Sequence, residues 1–74
     1  KFSGRATYRI KVQGKLDQSW SDALGGMSIT TEKQSNNDFV TTLEGSILDQ
    51  SELSGILSSL YEMHLTVLSV KCLG

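Results

Sequence analysis

YRIKVQGKLDQSWSDAL (residues 8–24) and VTTLEGSILDQSELSGIL (residues 40–57) run through the same order of events. Each opens on alternating residues, passes a glycine, reaches the tetrapeptide LDQS and continues into residues at helical spacing. LDQS occupies residues 16–19 and recurs at residues 48–51, a weak internal repeat 32 residues on. In the first copy, Ala6, Tyr8, Ile10 and Val12 alternate with Thr7, Arg9, Lys11 and Gln13, and Gly14 ends the run. Period two with one polar face predicts a half-buried antiparallel strand. Asp17 or Ser19 can then cap a helix, since a side-chain oxygen there accepts from backbone N–H groups that have no partner in the first turn. Trp20, Ala23 and Leu24 would share one face of that helix, and Gly25-Gly26 stops it after about two turns.

The second copy is the stronger. Phe39, Thr41, Leu43 and Ile47 lie on one side of a strand, and Val40, Thr42, Glu44 and Ser46 on the other. Asp49-x-x-Glu52 has the spacing of a capping box, in which Asp49 serves donors ahead and Glu52 reaches back. Leu53, Ile56, Leu57, Leu60 and His64 recur at i, i+3 and i+4, which predicts an amphipathic helix of about four turns. Outward from the two copies, MSITTE (residues 27–32) alternates as a strand, and KQSNND (residues 33–38) is the hairpin loop. TVLSVKCL (residues 66–73) is a last strand with Leu68, Val70 and Cys72 on one face.

The order strand, helix, strand, strand, helix, strand is that of two interleaved halves. It predicts an α+β fold: a ferredoxin-like split βαβ sandwich, with a four-stranded antiparallel sheet and both helices on one face. LDQS would cap each helix where it leaves its strand. Residues 6–74 form one domain on this reading, preceded by residues 1–5 as a disordered or extraneous end. Ile10, Val12, Leu43, Leu57, Leu60, Leu68 and Val70 should be mutually buried.

A chain of 74 residues buries only about 60% of the surface its unfolded state exposes, so its margin is thin. The single cysteine, Cys72, leaves no intramolecular disulfide or cysteine-based metal site, and association is the remaining common reinforcement. A net charge of −1, from 7 basic and 8 acidic residues, gives no electrostatic footprint for nucleic acid or an anionic membrane. Apolar runs are too short to span a bilayer, and no apolar stretch follows the basic start to make a secretory leader. A lone thiol suits a reducing cytoplasm.

No constellation of residues points to chemistry. Asp17, Asp22, Glu44, Asp49, Glu52 and Glu62 are scattered, and two have capping roles. His64 near a helix C-terminus suits the dipole there. Cys72 on an apolar strand face is expected to be buried and inert, since Lys71 points to the opposite face. Trp20 fits a helix-to-sheet contact; Tyr61 flanks the apolar stripe, where it either packs or stacks on a partner or ligand. Base-stacking sheets present aromatics from their two central strands, and the outward faces of the first and third strands have none.

Two resemblances bear on function. VQG at residues 12–14, between strand and helix, resembles the acylphosphatase signature, and NNDFVTTLEG resembles that family's asparagine-bearing segment. The resemblance implies the same sandwich and a phosphate-binding loop with an arginine. Here KLDQSW follows Gly14, with no arginine and with Asp17 where an anion would sit, and Asn36 and Asn37 fall in the loop. From Tyr8 to Leu73 the string YRIKVQGKLDQSWSD, GMSIT, TTLEGSILDQSELSGIL, LTVLSV is similar to a group of short uncharacterised bacterial proteins. It implies no activity, cofactor or ligand. That group's bulky aromatic after WSD is Ala23 here.

The sequence therefore predicts a small non-enzymatic association module, without cofactor or metal, that pairs with itself as a homodimer or with another protein. The uncovered sheet face, with Val40, Val67 and Leu73 on it, or a sheet edge would serve. The alternative is an ACT-like domain binding a small ligand at backbone groups around Gly14 and at Asp17. An acylphosphatase-like hydrolase is the third.

Overall fold

A computed structural model of the chain describes residues 5–74. The expectation for residues 1–4 lies outside the described residues; Arg5 is exposed ahead of the first strand. Four strands form, β1 (Ala6–Gln13), β2 (Ser28–Lys33), β3 (Phe39–Ile47) and β4 (Thr66–Cys72), in the spatial order β2-β3-β1-β4. Every neighbouring pair is antiparallel. Alternation sets the register: Ile10 stands opposite Leu43 and Val70, and Ile29 opposite Leu43. The β2–β3 loop closes through Gln34 N–H to the Asp38 carbonyl at 2.6 Å and Asn37 N–H to the Gln34 carbonyl at 3.0 Å. Asn37 takes φ 71°, a left-handed conformation that asparagine tolerates.

One α-helix is present among the described residues, α1 (Gln50–Glu62), and both its ends follow from local sequence. Glu52 N–H donates to Asp49 Oδ1 at 2.9 Å, and Leu48 N–H donates to Glu52 Oε1 at 2.7 Å. That is the reciprocal box expected of Asp49-x-x-Glu52. At the other end His64 has φ 64°, Leu65 N–H donates to the Leu60 carbonyl at 3.1 Å, and His64 N–H to the Tyr61 carbonyl at 3.0 Å. These are the two bonds of a Schellman motif, with histidine where glycine is usual. His64 therefore ends the helix through its backbone, not as a residue of its apolar face.

The first LDQS does not open an α-helix. Two 3-10 turns, Gln18–Trp20 and Asp22–Leu24, stand there instead, so the sheet carries one helix and not two. Three causes converge. Gly25 and Gly26 both take left-handed φ, 74° and 73°, and leave too few residues to repay helix nucleation. Ser21 Oγ donates to the Met27 carbonyl at 2.7 Å, and the Gln18 amide to the Ile29 carbonyl at 3.2 Å, tying the turns to β2 and the residue before it. The cap itself is weak: Asp17 Oδ1 accepts from Ser19 N–H at 3.5 Å. The two tetrapeptides are also packed differently, since Leu16 is buried and Leu48 exposed. Asp49→Ala should accordingly destabilise the fold by about 1 kcal/mol, and Asp17→Ala by less than about 0.5 kcal/mol. Urea midpoints of the two variants check this; equal losses would mean the first corner is as well capped as the second.

The core lies between the sheet and its single cover of α1 and 3-10 turns. It holds Ile10, Val12, Leu16, Leu24, Met27, Ile29, Leu43, Ile47, Ile56 and Leu60. Of the seven expected core residues, Ile10, Val12, Leu43 and Leu60 are buried, and Leu57 is half-buried against the cluster. Leu68 and Val70 are exposed. Val70 sits on β4, an edge strand only partly covered by α1, and Leu68 lies on the uncovered face, so alternation there does not translate into burial. Trp20, expected to pack on the sheet, is 45% exposed, because a 3-10 turn holds it at the rim rather than over the strands. Cys72, expected to be buried, is exposed for the same reason as Val70. Thr41 is the one fully buried polar side chain among the described residues; its hydroxyl lies 2.9 Å from Thr31 Oγ1 and donates to the Gly14 carbonyl at 2.7 Å.

Candidate functional site

Gly14 and Asp17, the candidates for ligand contact, are both occupied structurally. Gly14 N–H donates to the Phe39 carbonyl at 2.8 Å and its carbonyl accepts from Thr41, so neither group is directed to a ligand. Asp17 accepts from the Ser19 hydroxyl at 3.1 Å. It borders a shallow hollow of about 750 Å³ that also meets Lys15, Gln18, Trp20 and Thr31. Of its polar groups, Gln18 bonds β2, and Thr31 bonds Thr41 and the Leu16 carbonyl. Among the described residues no group of three His, Cys, Asp or Glu could hold a metal ion. Likewise, no helix among them is long and apolar enough to cross a membrane.

The uncovered sheet face is largely polar. Arg9 and Glu44 pair across it at 3.5 Å, both about two-fifths exposed, an arrangement that contributes little to stability. Val40 is half-buried there, next to Gln13 and the hairpin loop. Val67 is not on this face. The register between β1 and β4 shifts between Lys11 and Val12, where Ser69 pairs with Lys11 and Val67 with Val12. Leu68 is the extra residue of a bulge, which reverses the side-chain alternation below it. Leu68 therefore meets Gln13 and Val40 on the open face, and Val67 turns to the helix side with Val70 and Cys72. Leu73 keeps the expected side: its N–H donates to the Thr7 carbonyl at 2.7 Å, opposite an outward residue.

On the helix side, Val67 and Tyr61 are brought together. Tyr61 is 80% exposed on α1, and the two border an apolar hollow of about 670 Å³ with His64 and Leu65. Leu57 and Leu53, also on α1, are half-buried against the core cluster. Tyr8, opposite Cys72 in the register, has its phenol pKa raised, first by desolvation and then by the Cys72 thiol. The folded state thus favours the neutral phenol. That contribution is complete below the ordinary phenol range and disappears only as pH rises through the raised value. Sequence spacing pointed to Tyr61 and Val67 separately. Alternation along β4 predicts Val70 and Leu68 in the core; incomplete cover of this edge strand exposes Val70, and the bulge turns Leu68 to the open face.

The two sheet edges differ in kind. β2 is shielded: the Gln18 amide bonds its Ile29 carbonyl, the Thr31 hydroxyl bonds the Leu16 carbonyl, and the strand ends on Glu32 and Lys33. Charge and coverage are the usual protections of an edge. β4 has neither. All seven of its residues are exposed, Val67, Leu68 and Val70 among them, Lys71 is its single charge, and no described strand pairs with its outer side.

No curated protein and no solved structure matches the chain significantly. A family profile does match, over residues 7–71, nearly all of the sheet and its cover. The chain belongs to that family, DUF8691, a domain of unknown function.

Proposed function

We propose that this domain is a non-enzymatic protein-association module whose docking element is the edge strand β4 with the adjoining flank of α1. The observation that carries the reading is the asymmetry of the two edges: β2 is tied through its Ile29 carbonyl to the 3-10 turns and ends on Glu32 and Lys33, whereas β4 presents exposed Val67, Leu68 and Val70 beside an outer edge with which no described strand pairs. Strand addition to such an edge supplies main-chain hydrogen bonds, with side-chain pockets on alternate positions for specificity. The apolar hollow between Tyr61 and Val67 is the nearest such pocket. A non-enzymatic role is supported by Asp17, Asp49 and Glu52 being spent on chain corners. The order β2-β3-β1-β4, antiparallel throughout, supports a split βαβ sandwich of the ferredoxin-like kind in which the first helix is reduced to 3-10 turns. An exposed, unpaired Cys72 suits the cytoplasm.

The test is selection of displayed random peptides on the immobilised domain. Extended apolar peptides should be enriched, should slow amide exchange in β4, and should lose binding in Val70→Lys but not in Thr30→Lys on β2. Peptides that bind Val70→Lys as well as the parent protein would overturn the reading, as would a selection that enriches nothing.

A further inference from the structure

We infer that the open sheet face docks an acidic segment of another protein, held by Arg9, Lys11 and Lys71. The inference goes beyond the reading of the β4 edge and concerns a different surface.

The net charge of −1 conceals a segregation that only the fold displays. Residues 16–27 and 48–65 hold the 3-10 turns, α1 and their flanks. They contain Asp17, Asp22, Asp49, Glu52 and Glu62, and no lysine or arginine. Cations gather on the other side of the sheet. Arg9 and Lys11 alternate with the buried Ile10 and Val12, so they point away from the core. Lys71 stands directly opposite Arg9 in the β1–β4 register, which sets all three on the open face.

Folding does not account for this trio. Like charges directly opposite one another on a sheet are destabilising, and Arg9 and Lys71 are such a pair. Glu44 answers Arg9 alone, at 3.5 Å. Lys11 stands between Thr42 and Ser69 in the register, and among the described residues neither it nor Lys71 has an ion-pair partner. The other carboxylate of this face, Glu32, lies on β2, two strands away from β1. An anion laid over β1 and β4 would relieve the repulsion between Arg9 and Lys71.

Spacing and surroundings name the kind of anion. Paired residues of neighbouring strands lie about 5 Å apart, so Arg9 and Lys71 can share one carboxylate. Lys11 follows Arg9 by two residues, about 7 Å along the strand, the interval at which an extended chain repeats its same-side residues. Glutamates on alternate positions of an extended segment would therefore meet both places. Beside the cations, Leu68 is 50% exposed and Leu73 37% exposed on the same face, offering the apolar contact that a polypeptide can use. Nucleic acid fits less well, because the outward residues of β1 and β3 include no aromatic on which a base could stack. An anionic membrane calls for about 4–8 clustered basic residues, more than this face supplies.

The probe is a synthetic peptide with glutamate at alternate positions, titrated into the isotope-labelled domain and followed by amide chemical shifts. Shifts should concentrate in β1 and β4 and be small in α1, and binding should weaken as salt is raised. The glutamine version of the peptide should not bind. Lys11→Gln and Lys71→Gln should each weaken binding by about two- to fivefold, the range for exposed charge pairs. The double variant Lys11→Glu with Lys71→Glu should abolish it. Glu44→Gln, which releases Arg9, should strengthen it. Lys71→Glu should keep or raise the urea midpoint, because it turns a like pair into an opposite one, so its loss of binding is not a loss of folding. Val70→Lys, which tests the β4 edge, should bind the acidic peptide as the parent protein does. No binding of the acidic peptide, or equal binding by the glutamine peptide or by the double variant, would overturn the inference. So would loss of binding in Val70→Lys, which would place the peptide at the edge. Tighter binding of a single-stranded oligonucleotide or of anionic vesicles would overturn the class of partner.

Discussion

Leu60→Ala is expected to lower the unfolding free energy by about 2–5 kcal/mol, the lost burial of a large side chain plus the cavity it leaves. Leu60 is fully buried on the inward face of α1, and its carbonyl also receives the Leu65 N–H that closes the helix. For a domain of this size the whole margin is roughly 5 kcal/mol, so the variant should be partly unfolded at room temperature. Leu57→Ala, one turn back and only half-buried, should cost clearly less. Chemical denaturation followed by circular dichroism ranks the pair. If Leu57→Ala proved the more damaging, α1 would be rotated about its axis relative to the sheet, and its flank would not be free for a partner.

Gly14→Ala should cost about 2–4 kcal/mol, from two sources. Gly14 has φ 127°, a region essentially closed to residues with a Cβ, and adopting it costs about 1–3 kcal/mol. A Cβ there would also lie 2.6 Å from Leu65 Cδ2, so that side chain must move off the core, an overpacking cost of about 1 kcal/mol. The substitution leaves both backbone hydrogen bonds of Gly14 chemically possible, which isolates the conformational cause. A midpoint within experimental error of the parent protein would show that the strand-end turn can relax. Gly26→Ala makes the contrast: its φ is also positive, 73°, but nothing lies within 4 Å of the added carbon. It should carry a strain cost alone.

What the sequence determined by itself was everything governed by neighbours along the chain. Alternation of Ile10 and Val12 with Arg9 and Lys11 marked β1, and the same period marked β3, because opposite faces of a strand are a property of the backbone. Asp49 and Glu52 marked the start of α1, because a capping box is closed within four residues. The failure of the first LDQS was partly legible in Gly25-Gly26. The sequence could not show that Gln18 would bond to β2, and Ser21 to Met27 just before it, and hold 3-10 turns in place of a helix. Burial on β4 was decided by the tertiary structure alone. A strand pattern says which residues share a face, not whether anything lies over that face. Val70 and Cys72 are exposed because β4 ends the sheet and α1 covers it incompletely. The bulge at Leu68 is likewise a property of the pairing with β1, and one inserted residue sent Val67 and Leu68 to the faces opposite those their spacing implied.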